Sequence, residues 1–249
     1  MLMDIPNLPD QTILRADKEH GGIQFVVLLI ILIASILAFV LMDSLVLAPL
    51  LGGGDFDDYR PFLRFVLSIV AGVVIGGVAE HFLKRTWSSG RQIYLDSEGL
   101  TVEVKDKQPQ RLLWDQRVNV LCWAYPLRGF SRGGRERRVP STHLMYACQL
   151  LQNDSSTIIH CYLSPREVKS TLAERQFTQL DITKLHGSRR IKRFSPPERP
   201  SMPASLLTSK HGQLWAAEKG RWTSGIELEP ADFATLLEYL ARHGIIPSP

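Results

Sequence analysis

Residue types that can do chemistry occur along this 249-residue chain, but they do not gather into a reactive set. The seven histidines are scattered and none forms a metal-binding pair at helical spacing. The sequence contains no H-E-x-x-H, no phosphate-cradling G-x-x-x-x-G-K-S/T, no G-x-G-x-x-G and no G-x-S-x-G. His81 stands beside Glu80, a pair that could relay a proton, but a single such pair at the end of an apolar stretch reads first as structural. His160, between Ile159 and Cys161, reads as a strand residue. Cys122, Cys148 and Cys161 are odd in number and lack C-x-x-C spacing, so free buried thiols on strands in a reducing compartment are expected rather than a disulfide. No catalytic, cofactor-binding or metal-ligating residue is assigned, and the chain is read as non-enzymatic.

Two basic clusters remain. The first is Arg128, Arg132, Arg135, Arg137 and Arg138, in a glycine-containing loop between expected strands with only Glu136 opposing them. Beside an anionic membrane leaflet each such residue contributes on the order of 1 kcal/mol, decaying within a Debye length of about 8–10 Å. These five arginines are therefore the candidate contact to membrane lipid or an anionic partner; the alternative is a solvated loop. The second cluster is Arg189, Arg190, Lys192 and Arg193. Nucleic-acid binding calls for stacking aromatics or a recognition helix, and only Phe194 lies nearby, so nucleic acid is set aside as a partner.

The elements that position these residues are organised around Ile23 to Met42, twenty residues with no charge, fifteen of them Ile, Leu, Val or Phe. As a helix this stretch spans roughly 30 Å, the thickness of a bilayer's hydrocarbon core. A second apolar stretch, Phe62 to Phe82, holds twelve such residues, with Arg64 near one end and Glu80 and His81 near the other, where charges can reach the interface. Pro61 suits its first turn. Ser68, Gly72 and Gly76 repeat every four residues on one face of it, a spacing that lets two helix backbones approach closely. Ala34 and Ala38 offer a weaker face on the first span. Packing of the two spans on each other is expected; a homodimer or another membrane protein is the alternative use of that face.

Charge is divided along the chain. Residues 1–83 carry four Lys/Arg against nine Asp/Glu, whereas residues 84–249 carry 25 against 16, within an overall charge of +4. Arg15, Lys18, Lys84, Arg85 and Arg91 flank the outer ends of the two spans, against Arg60 and Arg64 on the side of the acidic loop LGGGDFDDY. The bias places both termini in the cytoplasm. Residues 1–22 read as a polar N-terminal tail, residues 23–83 as a transmembrane helical hairpin with spans at about 23–42 and 62–82, and residues 91–249 as a cytoplasmic domain. The seven-residue tether KRTWSSG reaches at most about 25 Å, which keeps that domain near the bilayer.

Strand patterns dominate the start of the cytoplasmic domain. Gln92 to Leu95 and Leu100 to Val104 flank the turn Asp96-Ser97-Glu98-Gly99, and Leu112 to Trp123, Leu144 to Leu151 and Thr157 to Leu163 continue the pattern. Ser164-Pro165-Arg166-Glu167 is a capping box that should start a helix. Residues 176–228 read as an irregular, basic, proline-rich insertion, with short strands at Gln213 to Ala217 and Trp222 to Leu228. A final amphipathic helix carries Phe233, Leu236, Leu237, Leu240 and Ala241 on one face and ends at Gly244.

QIYLDSEGLTVEV, followed by RLLWDQRVNV, resembles the opening strands of bacterial pleckstrin-homology-like (PH-like) domains that follow two transmembrane helices. Leu100, Val102, Val104, Gly99 and Trp114-Asp115 carry the resemblance, which spans roughly residues 20–163 and the last helix; residues 176–228 depart from the family pattern. It implies a curved antiparallel sheet or partly open barrel capped by a C-terminal helix, used for lipid, peptide or subunit contact, with no catalytic residues. The expected fold is thus a membrane α-helical hairpin plus an α+β soluble domain. The expected function is non-enzymatic: an integral protein of the bacterial inner membrane whose PH-like domain contacts lipid or protein, as an accessory subunit of a membrane complex. The alternative is a component of a membrane enzyme or transporter whose active site lies on partner subunits.

Overall fold

The computed structural model of the chain describes residues 11–17, 21–42, 59–87, 89–127, 139–171, 177–186 and 201–247. The chain divides into two units, one made of residues 19–88 and the other of residues 1–18 together with 89–249.

The first unit is a pair of long helices, α1 (Gly21–Met42) and α2 (Arg60–Thr86). Both are long and apolar enough to cross a membrane. A core helix of a soluble protein is mostly buried, but only 11% and 17% of their most apolar windows are buried here, and large side chains such as Phe25, Leu28, Phe62 and Val74 are exposed. Pro61 occupies the first turn of α2, where its missing N–H leaves no hydrogen bond unmade.

The second unit is α+β with two sheets. Strands β1 (Gln11–Arg15), β2 (Arg91–Asp96), β3 (Gly99–Val104) and β4 (Gln110–Leu113) form an antiparallel sheet in the order β1-β2-β3-β4. Residues 11–15 lie within the segment expected to be a polar tail, and that expectation is corrected. Thr12 and Leu14 register against Leu95 and Ile93, and Leu14 is 1% exposed. Ile13 and Leu14 stand side by side in a short polar segment and show no alternation to read, yet pairing along one edge with β2 turns Leu14 into the core and Ile13 outwards. The second unit therefore takes in residues before the helical hairpin as well as those after it, and does not start at residue 91.

The β2–β3 turn is built by its own side chains. Asp96 Oδ1 accepts hydrogen bonds from the Glu98 and Gly99 amides at 2.9 and 2.7 Å, and a Cβ at Gly99 would lie 2.1 Å from the Leu112 carbonyl oxygen. Only glycine permits that approach of β3 to β4. The stretch expected as one strand from Leu112 to Trp123 is broken at Trp114–Val118, where the Trp114 amide bonds Glu98 O and the indole Nε1 bonds Asp96 O, both at 2.9 Å.

The second sheet has the order β8-β5-β6-β7-β9, from β5 (Asn119–Pro126), β6 (Leu144–Gln152), β7 (Ser155–Leu163), β8 (Thr178–Gln179) and β9 (Ile226–Glu227). β5, β6 and β7 are antiparallel; β8 runs parallel to β5 and β9 parallel to β7. Gln152 joins the two sheets: its Oε1 accepts from the Leu113 amide at 2.9 Å and its Nε2 donates to the Leu113 carbonyl at 2.8 Å, so the side-chain amide takes the place of a strand neighbour.

The helices are α3 (Pro165–Thr171), α4 (Thr183–His186), α5 (Ala204–Leu207), α6 (Gly212–Ser224) and α7 (Pro230–Arg242). The capping box forms, with Glu167 Oε2 accepting from the Ser164 amide and Ser164 Oγ from the Glu167 amide. Gly244 adopts φ +67° at the end of α7, and the Ile245 and Gly244 amides reach the Leu240 and Ala241 carbonyls, a Schellman closure.

Two apolar cores result. Leu14, Ile93, Leu95, Leu100 and Leu112 of the first sheet share one core with Cys148, Leu150, Ile159 and Cys161 of the second, and with Phe233, Leu236, Leu237 and Leu240 of α7. The opposite face of the second sheet, with Trp123, Tyr125, Met145, Ile158 and Tyr162, is covered by Leu180, Ile182, Leu206, Leu214, Trp215 and Trp222. The insertion expected to be irregular thus supplies a helical layer. Its expected strands at 213–217 and 222–228 are corrected to the single helix α6, with only Ile226–Glu227 extended. Leu214, Trp215, Ala217, Glu218, Arg221 and Trp222 are buried at spacings of three and four, the period of a helix laid on a sheet.

Candidate functional site

Ser68, Gly72 and Gly76 are the buried residues of α2. A Cβ at Gly72 would sit 2.0 Å from Ser35 Oγ and 2.8 Å from the Ile31 carbonyl oxygen, and one at Gly76 would sit 2.2 Å from Ile31 Cγ1. The face opposite them on α1 is therefore Ile31 and Ser35, while Ala34 and Ala38 are half-buried. Ser68 Oγ donates to Phe65 O at 2.7 Å, within its own helix. One turn towards the start of α2, the Arg64 guanidinium donates through Nε to the Phe39 carbonyl and lies 4.1 Å from the centre of the Phe39 ring. Phe39 is in the last turn of α1, where carbonyls have no intrahelical donor and the helix dipole is negative. Arg64 thus caps the neighbouring helix, a role that a charge inside an apolar stretch could have signalled. At the other end of α2, Glu80 pairs with Lys84 at 2.9 Å and His81 meets Phe82 edge to face.

Among the described residues of the second unit the largest polar cluster is buried, and sequence reasoning did not find it. Glu218 and Arg221 of α6 have fully buried side chains. Arg221 donates to both Glu218 oxygens, from Nε at 3.0 Å and Nη2 at 2.9 Å. Glu218 also accepts from Trp123 Nε1 at 2.8 Å, Tyr125 OH at 2.9 Å and Trp222 Nε1 at 2.8 Å. Arg221 reaches the Tyr125 and Tyr162 hydroxyls as well. A carboxylate with this many donors and no exposed surface fastens α6 to the second sheet.

Where the chain leaves and rejoins the first sheet, Asp17 is held from three directions. Its amide donates to Glu227 O at 2.8 Å, its Oδ1 accepts from the Glu227 amide at 3.0 Å, and its Oδ2 pairs with Arg91 Nη1 at 3.1 Å. Ser89 Oγ donates to Ala16 O at 2.7 Å. Trp114 stacks on His243 with ring centres 5.1 Å apart, and burial, followed by the charge of Arg242, holds the imidazole below its ordinary pKa. Burial raises that of the Tyr146 phenol.

A cleft of about 770 Å³ lies between β5, β8, the turn before α6 and the residues after α7. Cys122, Phe177, Lys210, His211, Leu214 and Ile246 are among its walls. His160 is a buried residue of β7 set edge to face on Tyr162. Among the described residues no three His, Cys, Asp or Glu side chains converge in a way that could hold a metal ion. The candidate contact residues Arg128, Arg132, Arg135, Arg137 and Arg138, and the second cluster at 189–193, lie outside the described residues. Compared with family models, curated proteins and solved structures, the chain matches none.

Proposed function

We propose that this chain is a membrane-anchored contact protein, whose soluble unit is a PH-like domain that binds anionic lipid or a protein partner at the cytoplasmic face of a bacterial inner membrane. The observation that carries the reading is the pairing of β1 with β2. These strands flank the helical hairpin in sequence and are neighbours in one sheet, which supports two crossings with both flanks on the same side of the bilayer. The Lys/Arg bias of those flanks supports the cytoplasm as that side.

Support for the PH-like reading comes from strand order. A four-stranded antiparallel meander is followed by the antiparallel run β5-β6-β7, and the final helix α7 joins the core they share. The turn residues behind the sequence resemblance, Gly99 and Trp114, have structural work in that meander. The extra helical layer from residues 180–186 and 202–222 is an addition to the compact pattern.

The lipid arm of this reading is tested on the soluble unit with the hairpin replaced by a short linker. Sedimentation with vesicles containing phosphatidylglycerol should show binding that weakens with salt and falls several-fold when Arg135, Arg137 and Arg138 are replaced by Ala. Unchanged binding at low salt would remove these arginines from the contact. Recovery of the intact chain as a soluble protein without detergent would end the membrane reading altogether.

A further inference from the structure

The three cysteines occupy adjacent strands, and the register sets two of them directly opposite each other. Cys122 on β5 pairs with Cys148 on β6, and their sulfurs are 3.1 Å apart. Directly opposed residues of antiparallel strands have Cβ atoms about 4.5–5.5 Å apart, and their Cα separation of about 4.5–5.5 Å lies within the span a disulfide bridges. A disulfide's Cβ atoms lie about 3.5–4.5 Å apart, so bridging asks for side-chain rotation and for the two strands to draw together by up to about 1 Å at this pair. The two thiols are unequal in access: Cys148 is fully buried, whereas Cys122 is half-buried and lines the cleft between β5 and the start of α6. Cys161, on β7, is buried and registers against Tyr146.

We infer that Cys122 and Cys148 are a redox-active thiol pair oxidised by small hydroperoxides, with the cleft thiol reacting first and the buried thiol closing the bond. In the first step Cys122 Sγ, as the thiolate, attacks one oxygen of hydrogen peroxide. An S–O bond forms, the O–O bond breaks, and the departing hydroxide takes up the proton lost by the thiol and leaves as water. Cys122 is then a sulfenic acid. In the second step Cys148 Sγ attacks Cys122 Sγ; the S–S bond forms, the S–O bond breaks, and hydroxide leaves with the Cys148 proton as a second water. Two electrons pass from the sulfurs to the peroxide, and two thiols and one peroxide give one disulfide and two waters. A dithiol reductant reverses the change by exchange. The bond ties β5 to β6 behind the cleft wall, so the two redox states present different walls at Cys122.

The intact, fully reduced chain in mild detergent is exposed to hydrogen peroxide, denatured, alkylated with iodoacetamide and mapped by peptide mass. The expected result is loss of alkylation at Cys122 and Cys148 together, a linked peptide pair two hydrogens lighter than the sum of its parts, full alkylation of Cys161, and restoration by dithiothreitol. In the Cys148→Ser variant, Cys122 should instead be trapped by dimedone as the sulfenic acid. Full alkylation of all three cysteines after peroxide, a linkage through Cys161, or a wild-type Cys122 that stops at the sulfenic acid would each overturn the inference. The wild-type measurement decides without relying on any variant to fold.

Discussion

Glu218 and Arg221 show what a fully buried ion pair demands of its surroundings. Desolvating two charges costs several kcal/mol per ion, and their attraction offsets that only when the remaining hydrogen-bonding positions are filled. Here two indoles and a tyrosine hydroxyl fill them on the glutamate. Glu218→Ala would leave the guanidinium uncompensated and should cost about 3–5 kcal/mol, whereas the joint replacement Glu218→Leu with Arg221→Met should cost less than either single change. Thermal unfolding followed by tryptophan fluorescence would rank these variants, since Trp123 and Trp222 both donate to Glu218. His243 gives a pH-dependent counterpart. Its pKa in the folded protein lies below the ordinary 6.5, so the unfolded chain binds the proton more readily. Its contribution to stability is complete above 6.5 and is lost as pH falls through the depressed folded value. NMR titration should place its midpoint below that of an exposed histidine, and Trp114→Ala, which removes the stacked ring, should move it back towards 6.5.

Within a bilayer the helical hairpin would be held by shape, because apolar side chains gain nothing from leaving lipid for each other. At Gly72 a new Cβ would meet backbone as well as side chain of α1, and backbone cannot yield without moving the helix. Gly72→Val should therefore lower the thermal aggregation midpoint of the detergent-solubilised chain, at a cost of about 1–3 kcal/mol. Gly77 has no atom within 4 Å of a Cβ position, so Gly77→Ala should be neutral or stabilising by up to about 1 kcal/mol. Long apolar elements such as α1 and α2 were legible because their signal is continuous. The β2–β3 hairpin was legible from alternation plus a turn, and α7 from its period and its terminal glycine. α6 was not: its two tryptophans favour strand over short windows, Gly220 interrupts its helical pattern, and its buried charges mimic an exposed face. Only the partners supplied by Trp123 and Tyr125, more than 90 residues earlier in sequence, reveal why Glu218 is inside. β1 was missed for a similar reason, since the strand that gives it a role lies beyond the hairpin.

On the scale of the whole molecule, the helical hairpin is an insertion into a sheet, and the two cut ends of that sheet are already adjacent. Ser89 Oγ lies 2.7 Å from the Ala16 carbonyl and Arg91 pairs with Asp17. Residues 18–88 should therefore be replaceable by about four Gly/Ser residues, which reach roughly 13 Å. The resulting chain should be soluble without detergent and should melt cooperatively. Starting the chain at residue 89 instead is a different perturbation. It removes β1, takes Leu14 and Ala16 out of the core shared by the sheets and α7, and leaves Glu227 and Arg91 without Asp17. Loss of Leu14 alone is a large core deletion, about 2–5 kcal/mol, before the unpaired edge of β2 is counted. Differential scanning calorimetry of the two chains separates the possibilities. A bridged chain that melts well above the truncated one supports a sheet completed across the hairpin. Equal stability would mean that β1 contributes nothing to the fold, and would withdraw the strand pairing as an argument that both flanks share one side of the membrane.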